Sequence, residues 1–288
     1  MSGMMSSKQQ RAARIGDALL RFPDGAKATQ ADFGARRTVV FIHGFTADAS
    51  YMTDLMHQFD GAGFSAFAFE YACYRGIDHA ADSLVSLLRL LDGNGDISKD
   101  RIVLVGHSMG GLVARAAVAL ANGGSLVRKV ITIGTPNDGT LQGSFLPRAM
   151  AYWGEAIGGA DPRGFSPQGD SARQLVKADP APTLLDRLHT TSAPAGIDFY
   201  SISGGYGKLD FGQSYWKNLL INNYLQRRLG TPNDGLVSET SSDLSRPVFA
   251  TSAPNCTHQN GYVDYPHANH SFLINNQAVA LTAVSFAQ

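Results

Sequence analysis

The chain of 288 residues has few of the features that mark secreted, nucleic-acid-binding or membrane-spanning proteins. It has two cysteines, Cys73 and Cys256. That is too few for a disulfide framework, and neither stands in a Cys-His motif, so both are expected as thiols. It has no excess of charge, since 24 Lys and Arg balance 24 Asp and Glu. Phosphate binding needs a basic patch, and Arg227-Arg228 is too small to make one, so nucleic acid is excluded as a main partner. No apolar run reaches the roughly 18–20 residues that cross a bilayer. The stretch from Met1 to Arg21 mixes Ser, Lys, Gln and Arg. It lacks the apolar core of about 7–15 residues found in a secretory signal, which sets the expectation of a cytoplasmic chain. Low-complexity tracts and fold-sized repeats are missing as well.

What the chain does have is alternation. Residues 38–42, Thr-Val-Val-Phe-Ile, form a continuous apolar run, as expected of a strand buried on both faces. Further strands are read at 65–71, 102–105, 130–133, 198–203 and 247–251. Helices are read at 50–59, 77–91, 112–121 and 277–286. Strands and helices in this order predict βαβ units and a mostly parallel central sheet with helices on both faces. Ligands then bind at the rim where the strands end. Residues 1–35 are polar and poorly periodic and read as a leader packed on the sheet edge. Residues 36–288 read as one α/β domain, with cap or lid insertions at about 140–197 and 205–230, where the regularity breaks.

The chemistry starts at Gly106-His107-Ser108-Met109-Gly110. Four apolar residues run into G-x-S-x-G, and a small-residue helix follows. This is the sequence form of a nucleophile elbow, a tight strand-to-helix turn that projects a serine hydroxyl above a sheet. Glycines are required at 106 and 110 because side chains there would strike the neighbouring helix and strand. A serine hydroxyl needs a base to take its proton, and an acid to orient that base. On sheets that carry such an elbow, acid and base follow the serine in the chain, acid first.

The histidines after Ser108 are His189, His258, His267 and His270. His270 immediately precedes the apolar pattern of the closing helix and is the preferred base, with His267 as its competitor. Residues 134–139 and 230–235 are both Gly-Thr-Pro-Asn-Asp-Gly, so two identical turns offer an acid. Asp234 is preferred, Asp138 competes with it, and Glu239 and Asp243 are the remaining candidates. Oxyanion stabilisation needs preorganised N–H donors, assigned to Phe45 and Met109. His43 reads as ordering the loop before Gly44 rather than as a second base. In the cap, Leu141, Phe145, Leu146, Met150 and Trp153 fall at helical spacing, with Pro147 dividing the pattern. Together with Tyr215, Trp216, Leu219 and Leu220 they would either core a cap or line an acyl pocket.

These motifs resemble the α/β-hydrolase superfamily, and within it the lipase-like serine esterases. The resemblance rests on His43-Gly44-Phe45, on residues 106–115, on Gly134-Thr135-Pro136, and on Asn233-Asp234-Gly235-Leu236-Val237, which is similar to the acid loop of bacterial triacylglycerol lipases. It covers roughly residues 36–136 and 198–288. It implies a Ser108–His270–Asp234 triad that cleaves small-molecule carboxylic esters or lipids without a cofactor. A thioesterase or acyltransferase on the same residues, or a non-catalytic binding module of the same fold, are the alternatives. Those lipases bind calcium through an aspartate just after the histidine. Ser271 and Phe272 stand there instead, so no metal site is carried over, and Asp210 and Asp264 are the acids left that could hold one.

Overall fold

The computed structural model describes residues 16–33, 36–45, 47–73, 75–92, 102–140, 170–175, 182–205, 207–209, 214–265 and 267–288. In chain order the elements are β1 (Ala18–Arg21), β2 (Thr38–Ile42), α1 (Thr53–Gly61), β3 (Ser65–Glu70), α2 (Ile77–Leu91), β4 (Ile102–His107), α3 (Met109–Ala119), β5 (Val127–Ile133), α4 (Asp170–Gln174), α5 (Leu184–Thr190), β6 (Asp198–Ile202), α6 (Tyr215–Leu229), α7 (Glu239–Ser242), β7 (Thr257–Gln259), α8 (Gly261–Asp264) and α9 (Gln277–Ala287).

The strands form one sheet in the order β1-β3-β2-β4-β5-β6-β7. β2 to β7 pair in parallel, and β1 closes one edge antiparallel to β3, with Ala18 opposite Glu70. The stretch read as a leader therefore contributes an edge strand. β2 lies between β3 and β4, with Val40 opposite Leu104 and Ile42 opposite Gly106. This central position explains its unbroken apolar run. Val40 and Ile42 enter the core on one face, with Leu104, Leu84 and Leu112 from β4, α2 and α3. Val39 and Phe41 enter the other, with Val105, Leu55 and Val279 from β4, α1 and α9. The period-2 alternation of a strand thus feeds two cores at once.

α2 shows why this spacing folds as it does. Ile77, Ala80, Ala81, Leu84, Val85 and Leu88 are buried, one stripe at helical period. Each fully buried Leu or Val there contributes roughly 1.5–3 kcal/mol. The N-terminus of α2 is bonded from α4, since Gly76 N–H donates to Ser171 Oγ and Ile77 N–H to Gln174 Oε1.

Two expectations are corrected. Residues 247–251 are not a strand: Pro247–Phe249 is a 3-10 turn, and Phe249 is buried against Arg115. Pro247 has no N–H for a ladder bond, which favours the turn. The last strand is β7, so His258 lies within it rather than after it. The stretch after Gly204 is not wholly irregular, since α6 has 15 residues. Leu141, Phe145, Leu146, Pro147, Met150, Tyr152 and Trp153 lie outside the described residues. Among the described residues no helix is long and apolar enough to cross a membrane. Cys73 and Cys256 form no disulfide.

Candidate active site

Ser108 is the hinge between β4 and α3. Its backbone has φ 55° and ψ −126°, a region that costs a non-glycine residue about 1–3 kcal/mol. The turn is held by Ser108 N–H donating to the Ile133 carbonyl at 2.9 Å. The glycine requirement is severe. A Cβ at Gly106 would lie 2.4 Å from the Gly110 carbonyl carbon, and one at Gly110 would lie 2.1 Å from the Ile42 carbonyl oxygen. The strand, the helix and β2 close on the serine from three sides.

His270 and Asp234 converge on Ser108 from loops far apart in the chain. His270 Nε2 is 2.9 Å from Ser108 Oγ, and His270 Nδ1 is 2.8 Å from Asp234 Oδ2. A carboxylate oxygen accepts, so Nδ1 carries the proton and Nε2 faces the serine hydroxyl as an acceptor. Asp234 is 1% exposed and His270 is 4% exposed. The other carboxylate oxygen, Asp234 Oδ1, accepts the N–H groups of Leu236 at 3.0 Å and Val237 at 2.8 Å. The Asp234 carbonyl accepts the N–H of His270 at 2.9 Å. The acid is thus fixed by its own turn, and it fixes the histidine twice.

The loop after β2 lies against the serine. A Cβ at Gly44 would sit 3.0 Å from Ser108 Cβ and 3.5 Å from Ser108 Oγ. Phe45 follows it, and Met109 begins α3, where the first N–H groups have no partner within the helix and the dipole is positive. His43 is fully buried, with Nδ1 2.9 Å from the Gly44 carbonyl and its ring stacked on Tyr71 at 4.3 Å. Tyr71 donates its hydroxyl to the His43 carbonyl at 2.7 Å, and complete burial keeps its phenol protonated. Tyr71 therefore braces this loop.

The competing candidates lie elsewhere. Asp138 sits beside Arg246 at 3.4 Å and His189 at 3.7 Å, and His189 Nε2 donates to the Asn137 carbonyl at 3.0 Å. His267 is exposed. His258 lies 3.0 Å from Glu239 through Nε2, and through Nδ1 2.8 Å from Ser201 Oγ and 3.6 Å from Asp243. Glu239, Asp243 and His258 are the one group among the described residues whose ligand atoms cluster closely enough for a metal. The shortest contacts of the two carboxylates are to different ring nitrogens, Glu239 to Nε2 and Asp243 to Nδ1. The histidine ties β7 to α7 instead. Asp264 accepts from Gln259, and Asp210 lies outside the described residues.

Three contributors were missed in the sequence. Tyr71 and His107 are buried rings and Tyr51 a partly buried one, and they hold the loops around Ser108. His107 offered the one available signal, a polar residue ending an otherwise apolar strand, but it was read only as the variable position of G-x-S-x-G.

A sequence model described as the alpha/beta hydrolase family matches residues 39–282. No curated protein matches the chain. Among solved structures, a lipase of Bacillus licheniformis in its mature form is similar with a TM-score of 0.63 at 17% identity, over 88% of this chain and 93% of that one. A deformylase of Pseudomonas putida S16 gives 0.52 at 14% identity, over 92% and 94%. A bromoperoxidase of Bacillus anthracis gives 0.51 at 15% identity, over 88% and 92%. At these identities the likeness is one of fold.

Proposed function

The chain belongs to the alpha/beta hydrolase family, and from that premise we propose that it hydrolyses carboxylic esters through an acyl-serine intermediate. The observation that carries this reading is the buried relay of Ser108, His270 and Asp234, with contacts of 2.9 Å and 2.8 Å. Ser108 Oγ attacks the ester carbonyl carbon while His270 Nε2 takes the hydroxyl proton. The N–H groups of Phe45 and Met109 receive the oxyanion; each such donor contributes roughly 2.7–4 kcal/mol to the transition state. Collapse breaks the carbon–oxygen bond to the alcohol, which leaves with the proton from His270. Water, deprotonated by the same histidine, then releases the acid and restores Ser108. Asp234 holds the tautomer this cycle needs. No step requires a metal or an organic cofactor.

The ester preference is supported by the similarity of Asn233-Asp234-Gly235-Leu236-Val237 to lipase acid loops and by the lipase among the similar structures. The insertions at about 140–197 and 205–230 are assigned as the cap of a hydrolase domain spanning 36–288. Each follows the end of a strand that borders the site, β5 or β6, a position suited to an apolar acyl group. A panel of short- to long-chain esters and the matching thioesters, with fluorophosphonate labelling, tests the reading. Wild-type protein should turn over esters and be labelled, and S108A should do neither while remaining folded. Labelling of S108A would remove Ser108 from the mechanism, and a thioester preference would move the substrate class.

A further inference from the structure

The loop that carries His270 is held by more than Asp234. The carbonyl of His270 lies 3.0 Å from His107 Nε2. A carbonyl can only accept, so His107 carries its proton on Nε2 and donates it. His107 is 2% exposed, and burial holds its imidazole well below the ordinary value of 6.5, so the ring stays neutral and keeps this tautomer. One residue further on, the Ser271 carbonyl accepts the Tyr51 hydroxyl at 3.2 Å. The Tyr51 ring packs on His107 at 5.6 Å, and His107 packs on the His270 ring at 4.9 Å.

Two features make the His107 bond more than ordinary packing. His107 and Ser108 are consecutive, so this bond links the residue next to the serine with the peptide of the histidine. Together with the contact from His270 Nε2 to Ser108 Oγ, it closes a small ring of covalent and hydrogen bonds around the proton-transfer path. The second feature is a cost. His107 Nδ1 is buried and meets no hydrogen-bond partner among the described residues. A leucine or phenylalanine would carry no such orphaned acceptor. The cost is explained if the other nitrogen is needed.

We propose that His107 is a positioning residue for the hydrolytic reaction: its Nε2–H, bonded to the His270 carbonyl, sets the distance between His270 Nε2 and Ser108 Oγ. This rests on the acyl-serine reading above. A displacement of about 1 Å between reacting groups can cost on the order of a hundredfold in rate, while binding of the ester stays the same. Loss of the bond should therefore act on kcat and leave KM nearly unchanged.

Three variants separate the bond from the volume. H107F keeps a ring and loses the donor. H107Q places an amide N–H at the reach of Nε2, and H107N places it one bond short. The readouts are kcat, KM and the second-order rate of fluorophosphonate inactivation, with Tm measured alongside. H107F and H107N should fall about ten- to a hundredfold in kcat and inactivation rate with KM within about threefold, and H107Q should stay within about fivefold of wild type. All three close to wild type, or all three equally impaired, would overturn the proposal. If H107F does not fold, the contrast between H107Q and H107N carries the same decision. Wild-type protein that is not labelled at Ser108 brings down the acyl-serine reading and this inference with it. Labelled wild type with indifferent variants brings down only the inference.

Discussion

Residues 134–139 and 230–235 spell the same hexapeptide and are built into two different structures. The first leaves β5 directly, and its Asn137 is fully buried. Asn137 Oδ1 accepts from Arg115 at 3.2 Å, and Asn137 Nδ2 donates to the Ser242 carbonyl at 2.9 Å. Arg115 is itself buried, bonded to the Leu188 carbonyl and Ser252 Oγ at 3.2 Å each, so this turn joins α3, α5 and α7. The second hexapeptide leaves the end of α6. Its Asn233 turns back on its own backbone, accepting from Gly235 N–H at 2.9 Å and donating to the Gly230 carbonyl. Its aspartate faces His270, whereas Asp138 faces Arg246 and His189. Six identical residues thus make a structural junction in one place and present a carboxylate to a histidine in the other. Their neighbours decide which.

The sharpest break in that symmetry is the aspartate. D234N keeps the shape but offers His270 an amide in place of a carboxylate, favouring the wrong tautomer, and should lower kcat by about 10⁴. D138N should stay within about tenfold, because Asp138 faces Arg246 and His189 rather than His270. Ester turnover by both variants checks this, and a larger loss in D138N would exchange their roles.

The first glycines differ in the same sense. A Cβ at Gly134 would lie 2.7 Å from Leu273 Cδ1, 3.2 Å from Asp234 Oδ2 and 3.4 Å from His270 Nδ1, whereas one at Gly230 meets nothing within 4 Å. Both have positive φ, 55° and 74°. G230A should therefore show only backbone strain, about 1–3 kcal/mol. G134A should add a displacement of the acid–histidine contact and lose about ten- to a hundredfold in kcat. Kinetics with parallel urea melts tell the two apart, and equal kcat in both variants would refute the crowding at Gly134.

The asparagines give a smaller contrast. N137A leaves buried partners of Arg115 and Ser242 unmatched and should cost about 1–3 kcal/mol of stability, with little change in turnover per folded molecule. N233A should lower both stability and kcat, since Asn233 shapes the turn that aims Asp234. If N137A were the variant with the kcat defect, the division between junction and catalytic turn would fail.

Which hexapeptide meets His270 was only partly legible in the sequence, and the reason is physical. The hexapeptides are identical, so the preference for Asp234 came from its place between two expected strands and from Leu236-Val237 beyond it, which complete the likeness to a lipase acid loop; the partners that separate the turns in space lie up to about a hundred residues away, as Asn137 and Ser242 do. Elements with a strong one-dimensional pattern were readable to the residue: Thr38–Ile42 as a continuous apolar strand and Ile77–Leu91 as one stripe at helical period. β7 is three polar residues at the sheet edge, with no apolar pattern to read, and the more apolar Pro247–Phe249 took its place in the reading. α6 was hidden by the opposite problem. Leu225 is buried on one side while Trp216 and Leu220 are exposed on another, so its apolar residues trace no single stripe. The elbow was legible because its glycines are imposed by backbone collisions that allow little else.

The smallest effect concerns acid stability, and it separates Arg115, which bonds the first turn, from His107, which bonds the histidine that the second turn faces. Behind the first turn, Arg115 is lowered by burial to about 10. Behind His270, the partner of the second turn's Asp234, His107 is held well below 6.5, first by burial and then by repulsion from His270, while its bond to the His270 carbonyl pulls the other way. Below about 10 Arg115 is protonated whether the chain is folded or not, so it contributes no slope in acid. His107 does contribute one. Between its folded value and 6.5 the unfolded chain holds a proton that the folded chain refuses, so unfolding is favoured as pH falls through that window. Stability from this source is whole above 6.5 and drains away toward acid, by at most about 1.4 kcal/mol per pH unit. H107Q should flatten the fall in urea-unfolding free energy as pH drops below about 6.5. R115M should lower the whole curve and leave its acid slope alone, because what it removes is buried hydrogen bonding and packing rather than a group that titrates there. An unchanged slope in H107Q would mean that the buried imidazole takes up its proton as readily as an exposed one, and the tautomer that faces His270 would then not be fixed by burial.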